Sequence, residues 1–134
     1  MTAMGSILAV EDEPGVAEIL QVNLKASGHR VTTVSDGEMA LSALDGPPPD
    51  LVILDLNLPR VSGFRVIEVM RRTPAWQDVP VIVLTAYNFE EAVDVVRAGI
   101  DEFLTKPFDV GDLLTAVERI LSRAAGSQAP GSGD

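Results

Sequence analysis

Acidic side chains directly follow two short apolar runs of this sequence. Glu11 and Asp12 come after Ile7–Val10, and Asp55 comes after Leu51–Leu54. If both runs are neighbouring strands of a parallel sheet, their carboxyl ends meet at one edge and the carboxylates lie close together. Negative charges that close repel each other and raise a pKa, so the cluster needs a cationic side chain or a metal ion to relieve the repulsion.

A threonine and a lysine occupy the corresponding places after two further apolar runs. Thr85, followed by Ala86, comes after Val81–Leu84, and Lys106 comes after Phe103–Thr105. The same topology places both side chains at the edge that carries the acids. Lys106 supplies one positive charge there, and both Thr85 and Lys106 are placed to hold phosphoryl oxygens.

The available ligand types decide which metal this cluster favours. The chain has no cysteine, and its one histidine, His29, falls in a predicted loop. An all-oxygen set favours Mg²⁺, with Mn²⁺ as an alternative, and Mg²⁺ completes its shell with water and phosphate oxygens. We therefore predict a magnesium–phosphoryl site with Asp12 and Asp55 as ligands and Glu11 acting directly or through water. An aspartate beside such a metal can itself be the nucleophile and form an acyl phosphate.

Each of these features alone has an ordinary structural explanation. An acidic cluster after a strand is usually a solvated loop or a helix cap, and a Lys-Pro pair is usually a turn. A threonine in such a place usually caps something. Their joint placement at four strand ends is much harder to obtain by accident, which favours a single functional site.

The elements that position these residues are five strands alternating with five helices. Amphipathic spacing marks the helices, the fourth through Phe89, Ala92, Val93 and Val96. Three of the strands are apolar at every position, as central strands are, whereas the second and fifth are more polar, as edges are. The pattern predicts an α/β fold with a five-stranded parallel sheet in the order 2-1-3-4-5 and helices on both faces.

Composition excludes several classes of protein. Acidic residues outnumber basic ones by 20 to 10 in 134 residues, which argues against a nucleic-acid surface. No apolar run approaches membrane-spanning length and the start lacks a basic leader, so we expect a soluble cytoplasmic protein with no membrane contact. The stretch AAGSQAPGSGD cannot build a core. We expect one domain over residues 1–123 and a flexible tail or linker over 124–134.

The sequence resembles a receiver domain of bacterial two-component response regulators over about residues 7 to 121. The motifs ILAVEDE, LVILDLNLPRVSGF, VIVLTA and GIDEFLTKPF carry the resemblance. It implies a flavodoxin-like, doubly wound (βα)5 fold similar to that of chemotaxis regulators. The roles it implies are the phosphoacceptor Asp55, the metal ligands Glu11, Asp12, Asp55 and the backbone carbonyl of Asn57, the phosphoryl-binding and switch residues Thr85, Ala86, Phe103 and Lys106, and a cis peptide bond between Lys106 and Pro107.

Three positions depart from the family pattern or modify it. Ser62-Gly63 stands where the family commonly has Asp-Gly, and we expect little effect because Gly63 keeps the backbone freedom. Phe103 stands where the switch aromatic is often tyrosine. Because Phe103 has no hydroxyl group, no hydrogen bond can stabilise its inward or outward position, and only burial of the ring can drive the movement. Tyr87, two residues after Thr85, is predicted to lie at the site entrance and to slow attack of water on the acyl phosphate.

By this resemblance the chain is a signalling switch in a phosphorelay. A histidine kinase or histidine phosphotransfer protein supplies the phosphoryl group to Asp55 with Mg²⁺. Phosphorylation then shifts an equilibrium at the face made by the fourth helix, the fifth strand and the fifth helix, where a downstream protein or a second copy of the chain binds. The chain is then no enzyme beyond catalysing its own phosphorylation and dephosphorylation.

Three other functions compete with this interpretation. A Mg²⁺-dependent phosphatase with an aspartyl nucleophile needs a second acid two residues after that nucleophile, where this chain has Asn57. It also needs a cap or substrate pocket, for which we expect no room in 134 residues. A binding scaffold without phosphorylation would be indicated by loss of Asp55, Lys106 or the acidic pair, and all are present. A flavin or nucleotide binder would show a glycine-rich loop after the first strand, and none is there.

Overall fold

The structure is a computed structural model that describes residues 4–86 and 99–128, with side chains as far as Arg123. Its described elements run in the order β1 (Ser6–Val10), α1 (Pro14–Ala26), β2 (Arg30–Val34), α2 (Gly37–Ala43), β3 (Leu51–Asp55), α3 (Gly63–Arg72), β4 (Val81–Thr85), β5 (Glu102–Thr105) and the C-terminal helix (Val110–Gln128). The helix predicted through Phe89 and Val96 lies outside the described residues, as does Tyr87.

The five strands form one parallel sheet in the order β2-β1-β3-β4-β5. This order confirms the prediction from the strand compositions. The strands β3 and β4 are buried at every residue, whereas the edge strands β2 and β5 are partly exposed along their length. The reversal of strand order lies between β1 and β3, so their carboxyl ends border the crevice in which such sheets bind ligands.

Two apolar layers cover the faces of the sheet. Alternate residues of β1 enter different layers, with Leu8 and Val10 in one and Ile7 and Ala9 in the other, because successive strand side chains point to opposite faces. The first layer is completed by α2 and α3, and the second by α1 and the C-terminal helix. Both faces of the sheet are therefore covered, as predicted for a doubly wound fold.

Two helix boundaries differ from the sequence prediction. The dipeptide Asp36-Gly37 is typical of a turn, but Asp36 is the N-cap of α2, accepting a hydrogen bond from Met39 N, and Gly37 is its first residue. An acidic side chain satisfies a free amide of the first turn, which explains the early start. The C-terminal helix continues to Gln128, past the domain boundary expected at residue 123. The first part of the expected tail is thus helical.

Two side chains outside the site make tertiary contacts that local sequence did not predict. An arginine in the last turn of a helix commonly serves only to favour the helix C-terminus. The Arg71 guanidinium, however, donates to the carbonyls of Gln77, Val79 and Gly99 and so ties the end of α3 to the starts of β4 and β5. Trp76, in the segment before β4, is fully buried, and its indole N–H donates to Gly46 O at 3.1 Å.

None of the helices within residues 4–86 and 99–128 combines the length and apolarity that crossing a lipid bilayer requires.

Candidate metal and phosphoryl site

Asp55 is the last residue of β3 and is buried at the carboxyl edge of the sheet. One carboxylate oxygen, Oδ1, accepts a hydrogen bond from Asn57 N at 2.9 Å, and the other, Oδ2, accepts one from Lys106 Nζ at 2.9 Å. Because β1 pairs with β3 in the register Val10 to Leu54, the residues after Val10 lie beside Asp55. The apolar strand thus carries a charged group into a buried position where other charged groups hold it.

Lys106 joins three carboxylates at this edge. It follows β5, and its Nζ donates hydrogen bonds to Asp55, Glu11 and Glu13 at 2.9, 3.0 and 3.0 Å. Burial alone would lower its pKa, but the hydrogen bonds that Lys106 donates to Asp55, Glu11 and Glu13 outweigh that effect and raise the pKa above the ordinary lysine value. Lys106 is therefore a fixed positive charge at any physiological pH.

Glu11 is a buried acid at the centre of the cluster. Burial raises the pKa of its carboxyl to about 7, although hydrogen bonds from Lys106 and from the Glu13 amide act in the opposite direction. Its Oε1 lies 2.9 Å from Lys106 Nζ but outside hydrogen-bonding geometry, so within the described ranges this buried oxygen has no hydrogen-bond partner. A buried carboxylate oxygen that accepts no hydrogen bond can still coordinate a second cation, in addition to its ion pair with Lys106.

The donor set fits a divalent cation of the hard type. Glu11, Asp12 and Asp55 each offer a carboxylate oxygen, and these oxygens all lie within 4.8 Å of one another. Asp12 is accessible to solvent beside its two buried neighbours. Together with the Glu11 oxygen that accepts no hydrogen bond among the described residues, this all-oxygen group suits Mg²⁺ rather than a softer metal. The three acids predicted from the strand ends are thus brought together.

Thr85 and Phe103 lie on the neighbouring strands. Thr85 ends β4 and is buried, and its carbonyl accepts a hydrogen bond from Lys106 N at 2.9 Å. Phe103 pairs with Val83 in the sheet and packs, partly buried, against the layer formed with α2 and α3. Ala86 is exposed directly after Thr85. The peptide bond between Lys106 and Pro107 is cis, as the resemblance implied.

The loop after Asp55 depends on Gly63 because of close packing, and not because of the backbone freedom that was expected of this glycine. Gly63, the first residue of α3, has no positive φ, so backbone freedom is not what it supplies. A Cβ at this residue would lie 2.6 Å from Asp55 O and 2.7 Å from Leu56 Cα, and its N–H donates to Leu56 O. The start of α3 therefore packs directly on the backbone of the candidate acceptor. Ser62, in the place of the family's aspartate, caps this helix.

Glu13 belongs to the cluster although sequence reasoning did not assign it a role. It is the N-cap residue of α1, but its side chain makes no capping hydrogen bond and reaches Lys106 instead. The available signal was the third acid in the run Glu11-Asp12-Glu13 directly after β1. Its direction could not be read from the sequence because it depends on the position of Lys106, many residues away.

The sheet order and the lysine-centred carboxylate cluster at the switch point define a doubly wound α/β protein with a candidate hard-cation site. Residues 7–118 match the response regulator receiver domain family, and the chain belongs to that family.

Among curated proteins, the chain is similar to the DNA-binding master transcriptional regulator RpaA of Synechocystis, with 36% identity over 121 residues. It is also similar to the transcriptional regulatory protein KdpE of Mycobacterium tuberculosis, with 39% identity over 121 residues. Each match covers 90% of this chain but only 50% and 52% of the respective relative. The chain thus spans about half the length of these curated relatives.

Solved structures show the same likeness. The receiver domain of a sensor histidine kinase from Pseudomonas aeruginosa, which carries a magnesium ion in its active-site cleft, is 30% identical with a TM-score of 0.82, over 90% of this chain and 99% of that one. The chemotaxis response regulator CheY4 of Vibrio cholerae is 28% identical with a TM-score of 0.82, over 87% of this chain and 98% of that one. In each comparison the shared receiver fold therefore covers most of this chain and nearly all of the solved structure.

Proposed function

We propose that this chain is a phosphorylation-activated receiver in which Asp55 accepts a phosphoryl group. The observation that supports the proposal is the arrangement around Asp55: a buried carboxylate at the switch point, held by Lys106 and grouped with Glu11 and Asp12. The donor is a phosphohistidine on a histidine kinase or a histidine phosphotransfer protein. The chain catalyses its own phosphorylation and dephosphorylation and no other reaction.

The chemistry is a displacement at phosphorus. An Asp55 carboxylate oxygen forms the new O–P bond while the P–N bond of the phosphohistidine breaks, and the imidazole nitrogen keeps the electron pair. Such transfers need positioning and charge neutralisation more than covalent help from the protein. Lys106 neutralises phosphoryl oxygens from one side, and the hydrogen bond from Asn57 N to Asp55 Oδ1 fixes the direction of the nucleophile.

Glu11, Asp12 and Asp55 would hold the metal ion, and the backbone carbonyl of Asn57 is proposed as a further ligand. When bound, Mg²⁺ supplies positive charge that neutralises phosphoryl oxygens. Glu11 and Asp12 supply carboxylate oxygens beside Asp55, and the positive charge of Lys106 reduces the repulsion between Glu11 and Asp55.

The signal would leave the site through Thr85 and Phe103. We infer that the Thr85 hydroxyl moves to a phosphoryl oxygen and that Phe103 fills the volume it vacates, with Ala86 leaving room for the oxygen. Thr85 lies beside Lys106 through the backbone hydrogen bond between them, and Phe103 occupies the adjacent strand at the edge of an apolar layer. The partner-binding face then includes β5 and the C-terminal helix, and it serves a downstream protein or a second copy of the chain.

The proposal extends to domain organisation. We propose that residues 1–123 form the receiver domain and that 124–134 act as a tail or linker. The family match over 7–118 and the burial of Ile120 and Leu121 against the sheet support the domain, while the helix running to Gln128 indicates that the linker begins as a continuation of that helix.

The test is phosphorylation with a small phosphodonor. Wild-type protein incubated with acetyl phosphate and Mg²⁺ gains one acid-stable, hydroxylamine-labile phosphoryl group, and omission of Mg²⁺ or the change Asp55→Asn abolishes the gain. Asp45→Asn, at an exposed aspartate that is not part of the cluster, is the control and labels as the wild type does. Equal labelling of wild type and Asp55→Asn overturns the proposal.

A further inference from the structure

Glu13 is a third carboxylate on Lys106, and it differs from the other two in its surroundings. The side chains of Glu11 and Asp55 are 1% and 3% exposed, whereas that of Glu13 is 60% exposed. All three nonetheless reach Lys106 Nζ within hydrogen-bonding distance. Glu13 therefore stands at the mouth of the site, between solvent and the lysine.

The ammonium group of Lys106 has three N–H donors, so it can donate no more than three hydrogen bonds. In the structure Asp55, Glu11 and Glu13 each accept one hydrogen bond from Nζ. A phosphoryl oxygen that binds Lys106 must therefore displace one of the three carboxylates.

Glu13 is the carboxylate that is displaced at least cost. Separating Lys106 from Glu11 or Asp55 breaks a hydrogen-bonded ion pair at a buried carboxylate, where water does not replace the lost contact. Glu13 is exposed, so water replaces the lost hydrogen bond and the net cost is small. Until it leaves, its negative charge also faces any anionic donor that approaches the mouth.

We propose that Glu13 accepts the hydrogen bond from Lys106 that the incoming phosphoryl oxygen later accepts in its place. By this competition and by its charge, Glu13 selects against highly charged small phosphodonors. This inference rests on the proposed function, since it concerns the same transfer to Asp55. Glu13 is a specificity-determining residue at the entrance. A partner protein can bring its own positive charge to Glu13 as it delivers the phosphoryl group, whereas a small dianion cannot.

Two small phosphodonors of different charge can test this role of Glu13. With acetyl phosphate, an Asp55 oxygen forms the O–P bond and acetate leaves with the electron pair of the broken P–O bond. With phosphoramidate, the P–N bond breaks and ammonia leaves with the pair. Acetyl phosphate reacts as a dianion, whereas phosphoramidate carries a protonated nitrogen and a lower net charge, so the two donors differ in their repulsion by Glu13.

The substitution Glu13→Gln isolates the charge without disturbing the helix. The Glu13 side chain makes no capping hydrogen bond, and its backbone carbonyl, which accepts from Ala17 N, is retained. Glu18→Gln is the matched control, because it removes the same charge from an exposed position in α1 and Glu18 is not one of the three carboxylates that accept from Lys106. Both variants have the same net charge, so a bulk effect would appear equally in the two.

The experiment measures the rate of Asp55 phosphorylation against donor concentration, with saturating Mg²⁺, for wild type, Glu13→Gln and Glu18→Gln. We expect Glu13→Gln to raise the second-order rate with acetyl phosphate about three- to tenfold and the rate with phosphoramidate by less. The gain should fall at high ionic strength, because an exposed charge is screened. Glu18→Gln should match wild type.

The possible outcomes separate this inference from the proposed function. Equal rates for Glu13→Gln and wild type, an equal gain for both donors, or the same gain in Glu18→Gln overturns the role of Glu13. If Asp55→Asn meanwhile abolishes labelling, the proposed function stands without it. If Asp55→Asn is labelled as fast as wild type, the proposed function fails and this inference fails with it.

Discussion

Gly37 of α2 lies against the carbonyl of Val61, so close that a Cβ on Gly37 would be 2.0 Å from Val61 O and 2.7 Å from Val61 Cβ. Val61 belongs to the loop between Asp55 and α3. The same loop is held at its far end, where Gly63 packs on the backbone of Asp55 and Leu56. The path of the chain after the candidate acceptor is thus fixed by two contacts that only glycine permits.

Gly37→Ala should therefore destabilise the protein, since a methyl group directed at backbone atoms forces the loop or α2 to shift. We expect a loss of about 1–3 kcal/mol in the free energy of unfolding, measured by urea titration. Gly15→Ala is the matched control, because nothing lies within 4 Å of a Cβ at Gly15 in α1. It should be neutral or stabilising by up to about 1 kcal/mol. Similar losses in the two variants would contradict the contact.

Removal of the positive charge of Lys106 should destabilise the metal-free protein more than the metal-bound protein. Lys106→Met leaves Glu11, Glu13 and Asp55 without their shared counter-charge, and two of these acids are buried. We expect a loss of about 1–3 kcal/mol without Mg²⁺ and a smaller loss with it, because the metal supplies positive charge to the same acids.

The control for that experiment is Lys25→Met, which removes the chain's other lysine at an exposed position in the last turn of α1. It should lie within about 0.5 kcal/mol of wild type, with or without Mg²⁺. Chemical denaturation of all three proteins, with and without the metal, gives the comparison. A Lys106→Met protein whose loss does not change on addition of Mg²⁺ would refute the charge account.

Mg²⁺ binding should weaken as the pH falls through 7. Burial raises the pKa of Glu11 to about 7, so in the metal-free protein this carboxyl becomes protonated below that pH. The metal requires the ionised form, so binding releases a proton and the affinity falls by up to about tenfold per pH unit below the pKa. Above the pKa, Glu11 is ionised in both states and the affinity should be flat.

Isothermal titration calorimetry between about pH 5.5 and 8 in buffers of different ionisation enthalpy measures both the affinity and the released proton. Glu11→Gln serves as the reference, because it cannot titrate there and should bind more weakly with a shallower pH dependence. A wild-type affinity that is constant across this range would show that Glu11 does not titrate near 7.

The edge that carries the site was predictable because parallel topology leaves little choice. Once Asp55 and Lys106 each follow an apolar strand of a parallel sheet, the chain direction alone places both at the carboxyl end, whatever the details of packing. The strand order was also predictable, since strands buried on both faces are apolar throughout and edge strands are not. Periodicity and strand composition carry that information locally.

What could not be predicted depends on contacts between distant parts of the chain. The role of Glu13 depends on where Lys106 lies, and the packing of Gly63 on Asp55 cannot be distinguished in the sequence from a need for positive φ. Arg71 binds carbonyls in two different loops, and Trp76 donates to Gly46. All of these are contacts between residues that are distant in sequence, whereas a residue pattern carries information only about residues that are close along the chain.

The most direct test of the central claim locates the phosphoryl group chemically. After treatment with acetyl phosphate and Mg²⁺, borohydride reduces an aspartyl phosphate to homoserine, and peptide mass spectrometry identifies the position. We predict homoserine at residue 55 in the wild type and none after Asp55→Asn. Reduction at Asp12, or an unmodified Asp55 in protein that carries one phosphoryl group, would contradict the account.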